Sequence, residues 1–364
     1  MTKNRLLIFI FILFLTAPML IFPLVSGFMN NENREKRELT TFSEVISAPY
    51  RNKPYFFRRY FNDHLPFKNQ IITMHSLLTM RLFKTTASPL VAVGNEGWLF
   101  FNNIGLDNPV SDVTGLTSYS DEQMEIILEN ISRKTEQLEE SGIDFRLLII
   151  PNKEAVYSEY LPSYINSHRA EKSRTDLLVE FLLDNGRNVI YLKEGLLKEK
   201  EYNRVYYKYD THWNSIGAYV AARELFSSLD ISAPEIDDCD IVLSAPAKDL
   251  AVLAGIEDFC VDDYGAKVIW TKEAVTYESV EIAPGIIKHT SNAEDKRTVM
   301  VVGDSYFISL RGYFCEQFSE VIEINRNTAE YDPQKLIDKY HPDIIIRQVV
   351  ERSSSTLMLE DILR

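Results

Sequence analysis

Five short runs rich in branched and other apolar residues recur along the chain: Phe145 to Ile150, Val189 to Leu192, Thr298 to Val302, Val321 to Ile324 and Asp343 to Val350. All five read as strands, and the apolar, β-branched run Thr298 to Val302 reads as one buried on both faces. Segments with helical spacing alternate with them. The clearest spans Asp121 to Ser141, with Ser120 and Gln123 forming a capping box, an apolar stripe through Met124, Ile127, Leu128, Ile131 and Leu138, and Gly142 at its end. Others run from Ser173 to Asp184, closed by Gly186, and over Ile216 to Leu229, Phe307 to Phe318 and Pro333 to Tyr340. This β-α-β alternation predicts an α/β domain with a mainly parallel sheet and helices on both faces. Residues 230–290 read as irregular, with one strand near Val268 to Trp270, and suggest an insertion or lid.

The pattern changes toward the N-terminus. Tyr55 to Arg81 reads as a helical segment packed on the main domain, with His64 in a structural role. Residues 29–54 are polar and charged, notably over Asn30–Arg37, and suggest a tether with little structure. Before them, Leu6 to Val25 is twenty residues without a charge, preceded by Lys3 and Arg5. As a helix it measures about 30 Å, the thickness of a bilayer's hydrocarbon core. The expectation is one transmembrane signal anchor within residues 1–28, with the chain from residue 55 to 364 extracytoplasmic. A cleaved signal peptide is the alternative, since Val25, Ser26 and Gly27 are small near a possible cleavage point.

Composition adds limits rather than an identity. The 39 basic and 53 acidic residues leave a net charge of −14, which disfavours nucleic acid and anionic membrane surfaces as partners. An anionic polymer acceptor would need a local basic lining. The three cysteines are scattered: Cys239 and Cys260 are placed where an extracytoplasmic disulfide is permitted, and Cys315 reads as a buried free thiol. No cluster has zinc-site spacing, so neither metal nor cofactor is expected.

Two segments carry the chemistry. Tyr209-Asp210-Thr211-His212-Trp213 and Gly303-Asp304-Ser305-Tyr306 together hold the parts of a serine-nucleophile triad. A serine hydroxyl attacks well only when an imidazole takes its proton, and the imidazole needs a carboxylate to fix its tautomer. In an extended segment Asp210 and His212 point to one side, with Thr211 pointing away. Ser305 follows the Thr298 to Val302 strand, with Gly303 allowing a sharp turn and a helix beginning near Phe307. That arrangement exposes a nucleophile at the carboxyl edge of an α/β sheet, beside backbone amides able to hold an oxyanion.

At these residues the chain resembles the SGNH-hydrolase-like alginate O-acetyltransferases, the family of AlgJ and AlgX. The Asp-Thr-His-Trp run continues into Asn214-Ser215-Ile216-Gly217 and a helix, and the later Gly-Asp-Ser-Tyr completes the pattern. Gly94–Phe100, Ile150–Lys153 with Leu161-Pro162, and Asp249-Leu250-Ala251 are similar to further segments of the family. The resemblance spans roughly residues 55 to 350 and implies an SGNH-like fold, with the Asp/His pair preceding the serine in the family's own order. It implies acyl transfer onto an extracytoplasmic polysaccharide, with Asp210, His212 and Ser305 as triad. It also implies an acetyl-donating membrane-bound O-acyltransferase partner. The chain is more like AlgJ, because no carbohydrate-binding module is expected after about residue 352.

Further candidates flank the triad. Lys153, just past a strand end, is placed to position an acyl group or sugar or simply to face solvent. Asn325, after the Val321 to Ile324 strand, could complete an oxyanion hole, and Arg347 could assist or be paired within the sheet. Trp213 and Tyr306 could present flat faces to sugar rings or belong to the core. Three functions remain open on this reading: an anchored polysaccharide O-acetyltransferase, an acetyl esterase with the same triad, and an idle glycan-binding scaffold.

Overall fold

Along Leu147 to Ile150 the side chains alternate between two cores. Leu148 and Ile150 join Val299, Val301, Ile344 and Ile346 on one side of the sheet, while Leu147 and Ile149 join Met300, Val302, Ile345 and Val349 on the other. A strand buried twice must be covered twice. The helices Ser215–Ser227 and Phe307–Gln317 contribute Ala218, Phe226, Leu310 and Phe314 to the first core. The helices Asp121–Glu140, Arg174–Asp184 and Pro333–Tyr340 contribute Ile127, Leu178 and Ile337 to the second. The capping box of Ser120 with Gln123 forms, and Gly142 takes a φ of 74° just past that helix.

The structure is a computed structural model that describes residues 5–13, 16, 38–65, 67–103, 107–270 and 275–364. Its strands are β1 (Val91–Val93), β2 (Leu99–Phe101), β3 (Asp144–Ile150), β4 (Val189–Tyr191), β5 (Asp240–Ser244), β6 (Gly265–Ile269), β7 (Tyr277–Ala283), β8 (Ile286–Ser291), β9 (Asp295–Gly303), β10 (Phe318–Asn325) and β11 (Ile344–Val350). Seven of them form one sheet in the order β4-β3-β11-β9-β10-β8-β7. The pairings from β4 to β10 are parallel, whereas β10 with β8 and β8 with β7 are antiparallel.

The sheet is therefore mixed: four of its six pairings are parallel, and the departure from a parallel sheet lies in the two antiparallel pairings of β8. The β7–β8 hairpin belongs to the stretch read as irregular. Most residues of β7 are exposed and it includes Glu278 and Glu281, so an edge strand wet on its outer side lacks the apolar run that marked the others. Residues 230–290 also hold the antiparallel pair β5–β6 and the helix Asp249–Ala254.

The chain divides into two compact units, one reaching to Ser88 together with Ala251–Phe259, the other comprising Pro89–Leu250 and Cys260–Arg364. The second unit contains the seven-stranded sheet. In the first, the helices Lys53–His64 and Lys68–Phe83 are separated at a bend where Phe67 takes a φ of 60°. His64 stacks on Tyr60 and its Nδ1 lies 2.9 Å from the Tyr60 carbonyl, a structural role. Of the expected tether, residues 29–37 lie outside the described residues, and Phe42–Ser47 is a short helix with its own capping box of Thr41 and Glu44. Of the expected anchor, residues 5–13 and 16 are described and helical, and the rest lies outside. Among the described residues no helix is long and apolar enough to cross a membrane.

Candidate active site

The loop that carries Asp210 and His212 is built by local chemistry. An isolated bridge between Tyr206 and Trp213 closes it, and its five residues from 208 to 212 form bends rather than an extended strand. Asp210 curls the chain: its Oδ1 accepts from the His212 N–H at 2.9 Å, an aspartate turn two residues long. The same oxygen lies 2.7 Å from His212 Nδ1. On the other side of the ring, His212 Nε2 lies 2.7 Å from Ser305 Oγ. The neutral tautomer that satisfies both contacts carries its proton on Nδ1 and accepts the serine hydroxyl at Nε2.

The bend changes one expectation. Thr211 does not point away: its hydroxyl donates to Asp249 Oδ2 at 2.6 Å and lies 3.2 Å from His212 Nδ1. A turn of this kind gathers neighbouring side chains instead of alternating them. Asp210 is 2% exposed. Burial alone would raise its carboxyl, but hydrogen bonds and charge from His212, with the Asp249 N–H at 2.7 Å, hold it below the ordinary carboxylate range.

Ser305 sits where β9 ends and the helix Phe307–Gln317 begins. Gly303 serves a close approach rather than an unusual φ. A Cβ there would stand 2.3 Å from Gln348 Oε1, the atom that accepts the Asp304 N–H at 3.0 Å. Gln348 Nε2 returns a bond to Asp304 Oδ1 at 3.0 Å, and that oxygen also caps the Tyr306 N–H at 3.0 Å. Asp304 thus shapes the turn. Gly303→Ala should force Gln348 off this turn and lower turnover about a hundredfold, the scale of a misplacement near 1 Å. Steady-state kinetics beside a melting curve check it, and an unchanged rate would show the turn tolerates the methyl group.

The family description "SGNH hydrolase-like domain, acetyltransferase AlgX" matches residues 91–313, more than half of the chain and the part that holds Asp210, His212 and Ser305. The chain belongs to this SGNH hydrolase-like AlgX family. It is 25% identical over 178 residues to the probable alginate O-acetylase AlgJ of Pseudomonas syringae pv. tomato, a match covering 48% of this chain and 42% of that protein. A second probable alginate O-acetylase AlgJ, of Pseudomonas putida, is 25% identical over 169 residues, covering 46% and 40%. The matches therefore span less than half the length of these relatives. The fold is similar to that of Bacillus cereus PatB1, at 15% identity and a TM-score of 0.53, covering 74% of this chain and 97% of that one.

Around this AlgX-family core, the remaining candidates turn out to be supports. Lys153 is buried, and its Nζ reaches the carbonyls of Tyr207 at 3.3 Å, Lys208 at 3.4 Å and Asp210 at 2.6 Å. It clamps the loop from beneath instead of facing solvent or substrate. Burial pushes its ammonium down to about 8, against nearby acids that favour the charge. Because the folded value lies below the unfolded 10.5, the unfolded chain binds more protons between the two, and stability rises with pH across that window. Lys153→Met should flatten this rise relative to the native chain in urea midpoints measured at successive pH values. An identical slope would assign the effect elsewhere.

Trp213 and Tyr306 are fully buried and so cannot serve as sugar platforms. They join the two chemical segments: Tyr306 donates its hydroxyl to the Thr211 carbonyl at 2.7 Å, and Trp213 Nε1 donates to the Tyr306 carbonyl at 3.2 Å. The Tyr306 ring lies 4.7 Å from the His212 ring, supporting it from the side. Arg347 is also fully buried and donates to the carbonyls of Ile362 at 2.6 Å and Gln348 at 2.8 Å, tying the C-terminal segment to β11. Asn325 ends β10 beside Gly303, but its Oδ1 accepts from Asn327 N–H at 3.1 Å and shapes the following turn.

Sequence reasoning missed two partners because they act through backbone or from distant segments. Asp249 accepts from Thr211 N–H at 2.8 Å, gives its own N–H to Asp210, and stands 3.7 Å from His212 Nδ1. Burial and the neighbouring Asp210 raise its carboxyl above the ordinary range. Only the family-like Asp249-Leu250-Ala251 segment hinted at it. Gln348, on β11, gave no signal. Asp210, His212 and Asp249 offer ligand atoms within 4.8 Å of one another, a spacing a cation could use. Each carboxylate oxygen already accepts an N–H or O–H, however, so the group is wired as a hydrogen-bond network. Cys239, Cys260 and Cys315 form no disulfide with one another, and the last two are buried.

Proposed function

We propose that this chain transfers an acetyl group onto hydroxyls of an extracytoplasmic polysaccharide through an acyl-serine intermediate. The observation that carries the reading is the continuous relay from Asp210 through His212 to Ser305, with both links at 2.7 Å. His212 Nε2 takes the Ser305 proton as Oγ bonds to the donor's carbonyl carbon. The Ser305 N–H, with no acceptor among the described residues, stabilises the resulting oxyanion. When the carbonyl reforms, the bond to the donor's leaving oxygen breaks and His212 returns the proton to it. A sugar hydroxyl then gives its proton to His212, attacks the acyl carbon, and leaves as the ester while Ser305 recovers its proton. Asp210 stabilises the imidazolium in each half.

Membership of the AlgX family and the relatives named as alginate O-acetylases support a polysaccharide acceptor, an exopolysaccharide or cell-wall polymer. The apolar run from Leu6 to Val25 supports a single-pass membrane anchor with the catalytic unit outside the cytoplasm. A membrane-bound O-acyltransferase is the proposed source of acetyl groups. The second reading, an acetyl esterase, is favoured by the His212 side chain being 26% exposed, which leaves water a path to the acyl-enzyme. Full-length protein supplied with an activated acetyl ester and oligosaccharide acceptors separates the two. Transfer predicts acetyl moving from free acetate to sugar as acceptor is added, and unchanged acetate release would contradict it.

A further inference from the structure

The helix Lys68–Phe83 presents the wrong side to water. Its inward side carries hydroxyls: the fully buried Ser76 donates to the Ala254 carbonyl at 2.6 Å, and Thr73 donates to the Gly255 carbonyl. Its outward side carries Ile71, Met74, Leu78 and Leu82, which are 54% to 73% exposed. Their spacing of three, four and four places them on one stripe. A helix selected by water alone shows the reverse pattern, so this stripe is covered by something apolar.

Charge identifies the cover. Although the whole chain has a net charge of −14, residues 53–84 hold Lys53, Arg58, Arg59, Lys68, Arg81 and Lys84 against the single acid Asp63. Asp63 is buried and accepts the Thr40 N–H at 2.8 Å, so it presents little charge outward. The preceding helix adds exposed Tyr55 and Phe57, aromatics suited to a headgroup region. Lys68 at one end of the helix, with Arg81 and Lys84 at the other, flanks the apolar stripe with positive charge, which matches an anionic lipid surface, although the total charge argues against one. The helix has 16 residues, about 24 Å at 1.5 Å per residue and shorter than a hydrocarbon core of about 30 Å. Its stripe also includes His75 and borders Arg81, so it suits lying along a bilayer rather than across it.

We propose that the helix Lys68–Phe83 lies in the interfacial plane of an anionic bilayer, its stripe among the acyl chains and its basic residues at the phosphates. The proposal is independent of the chemistry at Ser305. Full-length protein with p-benzoylphenylalanine replacing Met74 or Leu78 is reconstituted into vesicles containing phosphatidylglycerol, irradiated and analysed by mass spectrometry. Controls carry the same probe at Leu116 or Tyr202, which are 81% and 77% exposed in the other unit. The expected result is lipid adducts at Met74 and Leu78 at about ten times the control level. Combined Lys68→Gln, Arg81→Gln and Lys84→Gln should reduce those adducts roughly threefold or more in phosphatidylglycerol vesicles, and little in phosphatidylcholine alone. Cross-links joining two copies of the chain, lipid adducts no stronger than the controls, or a yield indifferent to the three substitutions would overturn it.

Discussion

Ser305→Ala should lower turnover of an activated acetyl ester about a thousandfold or more while leaving the fold intact. The Ser305 Oγ meets His212 Nε2, and its loss removes the nucleophile without opening a core cavity, because the side chain is only partly buried. The turn that presents it is held by Gly303, Asp304 and Gln348, none of which depends on the hydroxyl. In enzymes whose nucleophile, base and acid act as one unit, removing the nucleophile costs almost the whole chemical advantage. Initial rates and a melting curve on the same preparation check this. A folded variant with native rates would move the chemistry away from β9.

Asp210→Asn should cost roughly a thousandfold to ten-thousandfold with little change in geometry, because the carboxylate's contribution is charge and tautomer rather than volume. Asp210 receives three N–H donors: two from His212 on Oδ1 and one from Asp249 on Oδ2. A carboxamide has one acceptor oxygen, so it cannot satisfy both sides. If its NH2 faces His212 Nδ1, the ring's proton shifts to Nε2 and the base is lost. Asp249→Asn, by contrast, should cost about tenfold, since Asp249 holds Thr211 and Asp210 in place without closing on the ring. The depressed Asp210 carboxyl fixes the sign with pH: its stabilising contribution is present above the ordinary carboxylate range and fades as acid protonates it through the folded value. Turnover and melting across acid pH should show that Asp210→Asn removes this part, and equal losses for the two substitutions would contradict the division of roles.

The centre of the fold was readable because burial on two faces leaves a one-residue alphabet. The run from Thr298 to Val302 has no polar position after its first residue, and it forms the middle of β9. The helix from Asp121 announced itself by both its cap and its stripe. The β7–β8 hairpin did not, because an exposed edge strand with acidic residues looks like loop until a neighbouring strand pairs with it. At the site, Asp210, His212 and Ser305 were legible as types in order, but the reason they meet was not. An aspartate turn, rather than strand alternation, brings Asp210 and His212 together. Lys153, Trp213 and Tyr306 carry side chains suited to substrate contacts, yet their neighbours use them as ties, and only three-dimensional partners separate a tie from a substrate contact. Asp249 and Gln348 act on backbone N–H groups distant in sequence, a role that leaves no local pattern.

The most direct test of the account is peptide mass spectrometry of the full-length protein quenched during turnover of an acetyl ester. The relay of Asp210, His212 and Ser305 predicts an acetyl group on the peptide holding Ser305, absent in Ser305→Ala and suppressed in His212→Ala. Turnover with the acetyl group resting on another residue, or with no adduct under conditions that trap acyl-enzymes, would contradict it.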